Sequence, residues 1–472
     1  MLTVLLMAAV ALAQPVLAQS PLQSQAVSKN TVSKNTVSKN AVSKNAVAKN
    51  AVATNSAPSK SAPNNSVPGS DLAAPRFDPV AATVAYMARL TPEQIARSDS
   101  YFEGGYWLLL WDFLLLSALS LILLTSGLSA RLRDFAERAV RFRRAQAPAR
   151  TLVYGAQYFL FMMVLSFPLA LYEGYFREHK YGLSNQTLVA WLTDQGIGIA
   201  VGAVLGGVAI MILYAILRRV QQAWWIWASV VSVAMLFVIS ALAPVYIAPL
   251  FNAYHTLDDP QIRDPILSLA RANEIPAENV YVFDASKQSK RVSANVSGAL
   301  GTMRISLNDN LLNRCSLASV KAVMAHEMGH YVLNHAYKGL MQVGLLLAVG
   351  FAFCAWAFER IVARRGEAWG VRSIADPAGL PLLVLLMSTY LFVMTPVSNT
   401  ITRTEEIEAD AFGLNAAGEP DGFADASLML SEYRKMHPGK WEEIVFYDHP
   451  SGYNRILMAM TWKAEHQPPR GH

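Results

Sequence analysis

The sequence predicts a mainly α-helical protein, a polytopic bundle of about six transmembrane helices with an integrated region that carries a small β-sheet. Apolar residues make up 53% of the 472 residues and charged residues only 16%, whereas a soluble domain has roughly 25% charged residues. The apolar residues also lie in runs long enough to cross the roughly 30 Å hydrocarbon core of a bilayer. Two cysteines exclude a disulfide framework.

The first 18 residues are typical of a secretory signal peptide, and an uncleaved, short first membrane helix is the alternative. They are apolar but short for a full span, and they end in the small-residue pattern VLA. Residues 26–55 then repeat a five-residue unit of the type AVSKN, a period that suits neither helix nor strand. Because these units lack large apolar side chains, they cannot offset the entropy lost on ordering. We therefore predict that residues 19–75 form a disordered tether.

Six later apolar runs are candidate membrane spans. The sixth is slightly shorter than the others and contains Pro381 and Pro396. Tryptophans lie near the ends of several runs, as interfacial anchors do. The runs cover residues 105–128, 152–172, 195–217, 223–246, 339–358 and 379–398.

The charges of the short loops predict the orientation of the bundle. Thirteen arginines lie in the loops on one side, whereas the short loop 173–193 on the other side has two basic residues. The positive-inside rule places the arginine-rich loops in the cytoplasm, so regions 247–338 and 399–472 face outward. We predict an integral protein of a bacterial inner membrane with these two regions on the periplasmic side; the cytoplasmic face is the alternative. The net charge of +6 is explained by these loops and the lysine repeat, so we expect the lipid bilayer, and no nucleic acid, as a partner.

The segment between residues 316 and 334 contains a metal-binding motif. Ser316 is a helix cap, and the apolar spacing over 317–334 predicts a helix. Within it, His326, Glu327 and His330 form an H-E-x-x-H motif. The two histidines share a helix face and can hold one Zn²⁺, while Glu327 can take a proton from a zinc-activated water.

A third metal ligand must come from elsewhere. We expect the helix to continue past His335, which places this residue about half a turn from the ligand face and gives it a hydrogen-bonding role instead. Downstream, Glu405, Glu406 and Glu408 are all candidates. Only Glu406 has a suitable partner four residues later, because Asp410 can hold the free ring nitrogen of a ligating histidine. This spacing favours Glu406.

Several motifs together resemble those of the type I CaaX prenyl proteases, integral-membrane zinc metalloproteases of the gluzincin kind. They are HEMGH, the pattern R-x-x-E-x-x-A-D at 403–410 and DHPSGYNR at 448–455. YEGYFREHKYGLSNQT at 172–187 and SANVSG at 293–298 are further matches. The resemblance covers roughly residues 95–465. Members of the family have seven membrane helices around a large water-filled chamber, and the eukaryotic members are thought to present the zinc domain to the cytosol.

The resemblance implies a function for eight residues and one Zn²⁺ per chain. A peptide substrate would bind as an extended strand beside SANVSG, and residues 302–307 are a second strand candidate. The implied roles are zinc ligation by His326, His330 and Glu406, general base catalysis by Glu327, support of a ligating histidine by Asp410, binding of the substrate backbone by Asn295, and contact with substrate carbonyls or the oxyanion by His449 and Arg455.

The sequence thus predicts a membrane-embedded zinc endopeptidase. A catalytically inactive scaffold and a transporter with a fortuitous zinc-like motif are the alternatives. The intact metal-binding set argues against the scaffold, and the lack of repeated membrane segments argues against the transporter. The predicted division is a signal or short helix at 1–18, the tether at 19–75, a membrane-helix region at 76–250, and a zinc metallopeptidase domain at 251–472 that includes two membrane helices.

Overall fold

The computed structural model describes residues 77–141, 146–297 and 303–466. The predicted signal-like segment 1–18 and the tether 19–75 lie outside these residues. In the described part of the chain, five helices are long and apolar enough to span a membrane, and a bent helix pair makes six if it counts as one span. The predicted fold class is confirmed.

The N-terminal half consists of helices. Two of them continue through π-helical turns, so that the corresponding candidate spans cover Gln146–Lys180 and Trp224–Leu250. The helices are α1 (Pro79–Met87), α2 (Pro92–Thr125), α3 (Leu128–Ala139), α4 (Gln146–Leu171), α5 (Leu188–Arg219) and α6 (Trp224–Leu242).

The C-terminal half combines a four-stranded sheet with further helices. The strand order is β1-β2-β4-β3; β2 and β4 are parallel, and the two outer strands are antiparallel to their neighbours. The strands are β1 (Tyr254–Thr256), β2 (Val280–Phe283), β3 (Ala294–Ser297) and β4 (Arg304–Asn308). The helices are α7 (Pro260–Ala272), α8 (Asp309–Arg314), α9 (Leu317–Val332), α10 (His335–Trp369), α11 (Leu380–Val393), α12 (Thr395–Ala417), α13 (Pro420–Met429), α14 (Lys440–Phe446) and α15 (Gly452–His466). Strands β3 and β4 lie where the sequence predicted them.

Two hydrophobic cores lie among the described residues. One lies among the long helices and includes Tyr154, Trp224 and Phe351. The other joins the sheet to α7 and α9, and includes Ile305 and Met324. Since burial of each large apolar side chain contributes about 1.5–3 kcal/mol, the second core fixes α9 firmly against the sheet.

The last apolar run does not form one straight helix. Helices α11 and α12 meet at a 55° bend next to Met394. Pro396 lies in the first turn of α12, where its missing N–H costs nothing, whereas it would disrupt the interior of a continuous helix. The bend directs the polar half of α12, with Glu406 and Asp410, toward α9.

The expected continuation of the α9 helix through residue 334 was wrong. Helix α9 ends at Val332, and a new helix begins at His335. Between them, Asn334 has φ 58°, the left-handed conformation that asparagine tolerates better than most residues. The chain direction therefore changes immediately before His335.

The loop after α4 connects the long helices to the sheet region. The Asn185 backbone N–H donates to the Gln288 carbonyl at 3.0 Å, and the Lys290 N–H donates to the Leu183 carbonyl at 3.1 Å. The Asn185 side chain donates to the Ser286 carbonyl at 2.8 Å. The motif at 172–187 thus connects the two halves of the molecule.

Candidate metal centre

Helices α9 and α12 approach each other closely enough to share a site. A Cβ added at Gly413 would lie 2.9 Å from the backbone nitrogen of His326, and one at Gly329 would lie 3.2 Å from Cα of Ala409. Only glycine permits such an approach of two backbones. As a consequence, the short side chain of Glu406 reaches the imidazoles of the facing helix.

His326, His330 and Glu406 form a buried group in which the potential ligand atoms lie within 4.8 Å of one another. The two Nε2 atoms are 3.2 Å apart. Glu406 Oε2 lies 3.3 Å from His326 Nε2, and Glu406 Oε1 lies 3.5 Å from His330 Nε2. Tetrahedral ligands at the usual zinc distances lie about 3.3 Å from one another, so the spacing of these donors is close to that of a zinc site.

The charges within the group are coupled. Burial, followed by the charge of His326, lowers the pKa of His330 to about 3. Burial also disfavours the charged form of His326, but Asp410 and Glu406 outweigh it and raise the pKa of His326 to about 10. Because a ligating imidazole must be neutral, metal binding here would release the proton of His326. In the described residues, Glu406 Oε2 is buried without a hydrogen-bond partner. An unsatisfied buried carboxylate oxygen is costly unless a cation compensates it.

Glu327 lies beside the group without belonging to it. Its side chain is half-buried in the wall of the central cavity. Burial raises the pKa of its carboxyl to about 7. The position next to His326 suits a proton acceptor for a water that approaches the metal.

Asp410 holds the other ring nitrogen of His326. Its Oδ1 lies 2.7 Å from His326 Nδ1, and the carboxylate is completely buried. Arg455 forms an ion pair with the same carboxylate, and its guanidinium lies 3.5 Å from His326 Nδ1. Of the two histidines that the sequence left open as partners of Asp410, the contact is with His326.

His449 reaches the group from the loop between α14 and α15. Its Nε2 lies 3.3 Å from Glu406 Oε2. Asp448 contacts the opposite ring nitrogen at 2.8 Å, and Arg434 lies 3.3 Å from it. The ring is thus held with one nitrogen toward the metal group.

A cavity of about 670 Å³ joins the metal group to the long helices. Asn295 of the edge strand β3 lines it, together with Glu327, His449 and Arg455. All eight predicted site residues therefore lie in or against one site. The alternative Glu405 is buried beside Glu406 but is not part of the metal group.

Sequence reasoning missed one buried network and one contact. A buried network comprises Tyr101 and Arg291, which line the cavity, and Glu178 behind them; the motif at 172–187 contains Glu178 without indicating its role. His335 was expected to form hydrogen bonds, but its partner was missed: its Nδ1 lies 2.9 Å from Nδ1 of His330. The helix break at Asn334, which produces this contact, has no periodic signal in the sequence.

Two family models match the chain. The model of peptidase family M48 matches residues 256–463, and the model described as CAAX prenyl protease N-terminal, five membrane helices, matches residues 80–253.

Relatives cover most of the chain. The uncharacterized metalloprotease YhfN of Bacillus subtilis is 30% identical over 374 residues, which span 78% of this chain and 86% of that protein. CAAX prenyl protease 1 of Saccharomyces cerevisiae is 27% identical over 351 residues, 69% of this chain and 75% of that protein. The crystal structure of S. mikatae Ste24p matches with a TM-score of 0.68 and 22% identity, over 79% of this chain and 90% of that chain. At this identity, the structural match shows a shared fold.

Proposed function

This chain belongs to peptidase family M48 and, within it, to the CaaX prenyl protease family, so it is a membrane metalloendopeptidase, and we propose that it hydrolyses peptide bonds with one Zn²⁺ per chain. The observation that carries the proposal is the buried group of His326, His330 and Glu406 beside Glu327 in one cavity. These three residues are the proposed zinc ligands.

Glu327 transfers the proton in the proposed catalytic step and is not a zinc ligand. Zn²⁺, when bound, polarises the attacking water and the scissile carbonyl. Glu327 takes the proton of that water and then gives it to the leaving amine. Its place one residue after His326 keeps the carboxylate near the metal-facing atoms but outside the ligand set.

Asp410, His449 and Arg455 prepare the site for the reaction. Asp410 accepts a hydrogen bond from His326 Nδ1–H, which leaves Nε2 free for the metal. His449 and Arg455 line the cavity and are held by carboxylates, so we assign them to the substrate carbonyl and the developing oxyanion. The fixed orientation of both side chains supports this assignment.

The proposed substrate is a peptide bound as an extended strand along β3. Among the described strands, β3 is an edge that pairs only with β4, and Ala294, Asn295 and Ser297 line the cavity. An unpaired edge binds peptides through main-chain hydrogen bonds, and the side chain of Asn295 adds a polar contact. The bilayer is the other partner, and we expect no nucleic acid.

We retain the sequence-based division, with a membrane-helix region at 76–250 and a zinc metallopeptidase domain at 251–472. The contacts between them support one working unit, because residues of both line the cavity. No observation favours the inactive scaffold or the transporter.

The decisive experiment compares Glu327→Gln with the wild-type chain in detergent. Glu327→Gln should retain zinc, because Glu327 is not a ligand, and should lose peptide hydrolysis by roughly 100-fold or more, the usual contribution of a general base. Zinc content and the hydrolysis of matched prenylated and unprenylated peptides with CaaX ends are the measurements. His330→Ala is the companion variant and should lose zinc. Full activity of Glu327→Gln would refute the proposed mechanism.

A further inference from the structure

His335 contacts a proposed zinc ligand from the side that faces away from the metal group. His335 follows His326 by nine residues, so on a continuous helix its side chain would lie about half a turn from the ligand face. The break at Asn334 instead brings the rings of His330 and His335 together, with centroids 5.0 Å apart and planes at 73°. Both side chains are almost completely buried. A buried imidazole pair of this kind needs a hydrogen bond.

The protons of the two rings have one consistent arrangement if both rings are neutral. Nε2 of His330 faces Glu406 and His326, so its proton must be on Nδ1. That N–H donates to Nδ1 of His335 at 2.9 Å. The remaining N–H of His335, on Nε2, then donates to Glu408 Oε2 at 3.1 Å. This assignment follows from the hydrogen-bond partners of each nitrogen.

Glu408 completes the connection at the protein surface. Lys338 donates to the same oxygen, Oε2, at 2.8 Å and keeps the carboxylate in place. The structure thus contains a chain of contacts from Glu408 through His335 to His330. The corresponding support for His326 is direct, through Asp410.

We propose that His335, oriented by Glu408, is a positioning residue for His330. By accepting the Nδ1 proton, it holds the ring orientation and the tautomer that present Nε2 to the metal, and it makes that nitrogen a better donor. The inference rests on the proposed function, in which His330 is a zinc ligand. It assigns His335 no contact with zinc or substrate.

The zinc dissociation constant of the full chain in detergent tests the proposal, measured by competition with a chromophoric chelator. His335→Leu removes the acceptor and should weaken zinc binding about 10- to 100-fold. His335→Asn should retain most of the affinity, because its Oδ1 accepts from roughly the position of Nδ1. His437→Leu is the matched control: this exposed histidine stacks on Tyr453, outside the cavity, and its loss should leave zinc affinity unchanged.

The outcomes separate positioning from a general structural role. Unchanged zinc affinity in His335→Leu, or equal losses in the Leu and Asn variants, would overturn the proposal. If His335→Leu does not fold, Glu408→Ala decides, because Glu408 is about half exposed and its removal does not endanger folding. It should weaken zinc binding measurably but less than the loss of the Nδ1 acceptor would, and wild-type affinity would overturn the proposal. His330→Ala distinguishes failure of the proposed function from failure of the role of His335. If His330→Ala retains zinc, the proposed function is refuted. If His330→Ala loses zinc but the His335 and Glu408 variants bind zinc like the wild type, only the role of His335 is refuted.

Discussion

Asp410 contacts the proposed metal centre through one ring nitrogen of His326. Its Oδ1 is 2.7 Å from Nδ1, and the carboxylate also pairs with Arg455. Removal of the whole side chain would leave the largely buried Arg455 without this counter-charge, at a cost in stability. A substitution that preserves shape therefore isolates the effect on His326.

We expect Asp410→Asn to weaken zinc binding by about 10-fold, and Asp410→Ala by up to about 100-fold. The amide oxygen of asparagine still accepts from Nδ1–H but lacks the negative charge that strengthens the ligand. Chelator competition gives the dissociation constants, and thermal unfolding of the metal-free chain reports stability. If both variants bind zinc like the wild type, Asp410 is only a structural partner of Arg455.

Local spacing predicted some of these residues and not others. His326 and His330, like Glu406 and Asp410, are four residues apart on single helices, so helix geometry alone places each pair on one face. His335 depends on one left-handed residue, Asn334, and on the direction of the next helix. Tertiary packing determines that direction, and no local pattern encodes it.

The two helices that carry the proposed ligands depend on glycine at their crossing. Gly413 lies against the backbone of His326, and Gly329 against Ala409. The sequence marked Gly329 only as a variable position of the H-E-x-x-H motif. Its function is visible only when both helices are seen together.

Gly413→Ala should therefore weaken zinc binding, although alanine is the better helix former. A Cβ at 2.9 Å from the His326 nitrogen and 3.0 Å from its Cα cannot be accommodated by a side-chain rotation, so α12 must move away with Glu406. Gly196→Ala is the matched control, because nothing lies within 4 Å of its added Cβ. Equal zinc affinities in the two variants would show that the crossing tolerates a methyl group.

The whole molecule depends on a buried network between the long helices and the sheet region. Glu178, after α4, pairs with Arg291 at 2.9 Å and accepts from the Tyr101 hydroxyl at 2.5 Å. Strand β3 begins three residues after Arg291. The network thus fixes the start of the proposed substrate strand relative to the bundle.

Glu178→Gln should lower the free energy of unfolding by about 3–5 kcal/mol, because Arg291 loses its buried counter-charge. Glu103→Gln is the comparison: Glu103 is half exposed, and its partner Lys435 also pairs with Glu442. The loss there should stay below about 1 kcal/mol. Thermal unfolding in one detergent measures both variants, and equal effects would contradict a special role for the buried pair.

Contacts between the loops show which of them share an end of the bundle. Arg133 pairs with Asp376 at 2.6 Å, and Arg218 donates to Thr151 at 3.0 Å, so the arginine-rich loops meet at one end. The loop after α4 lies at the other end, where Asn185 bonds to the sheet region. The orientation predicted from the loop charges requires this grouping of the loops.

We predict that the zinc centre faces away from the cytoplasm, because the positive-inside rule holds the thirteen loop arginines inside and the sheet region lies at the opposite end of the bundle. Fusions of a phosphatase that is active only outside the cytoplasm test this prediction, one placed after Arg141 and one after Glu465. The first fusion should be silent and the second active. Fusions of a fluorescent protein that matures only in the cytoplasm should give the inverse pattern and control for expression. A silent phosphatase after Glu465, together with an active one after Arg141, would place the centre on the cytoplasmic face. The loop charges would then not determine the orientation of this protein.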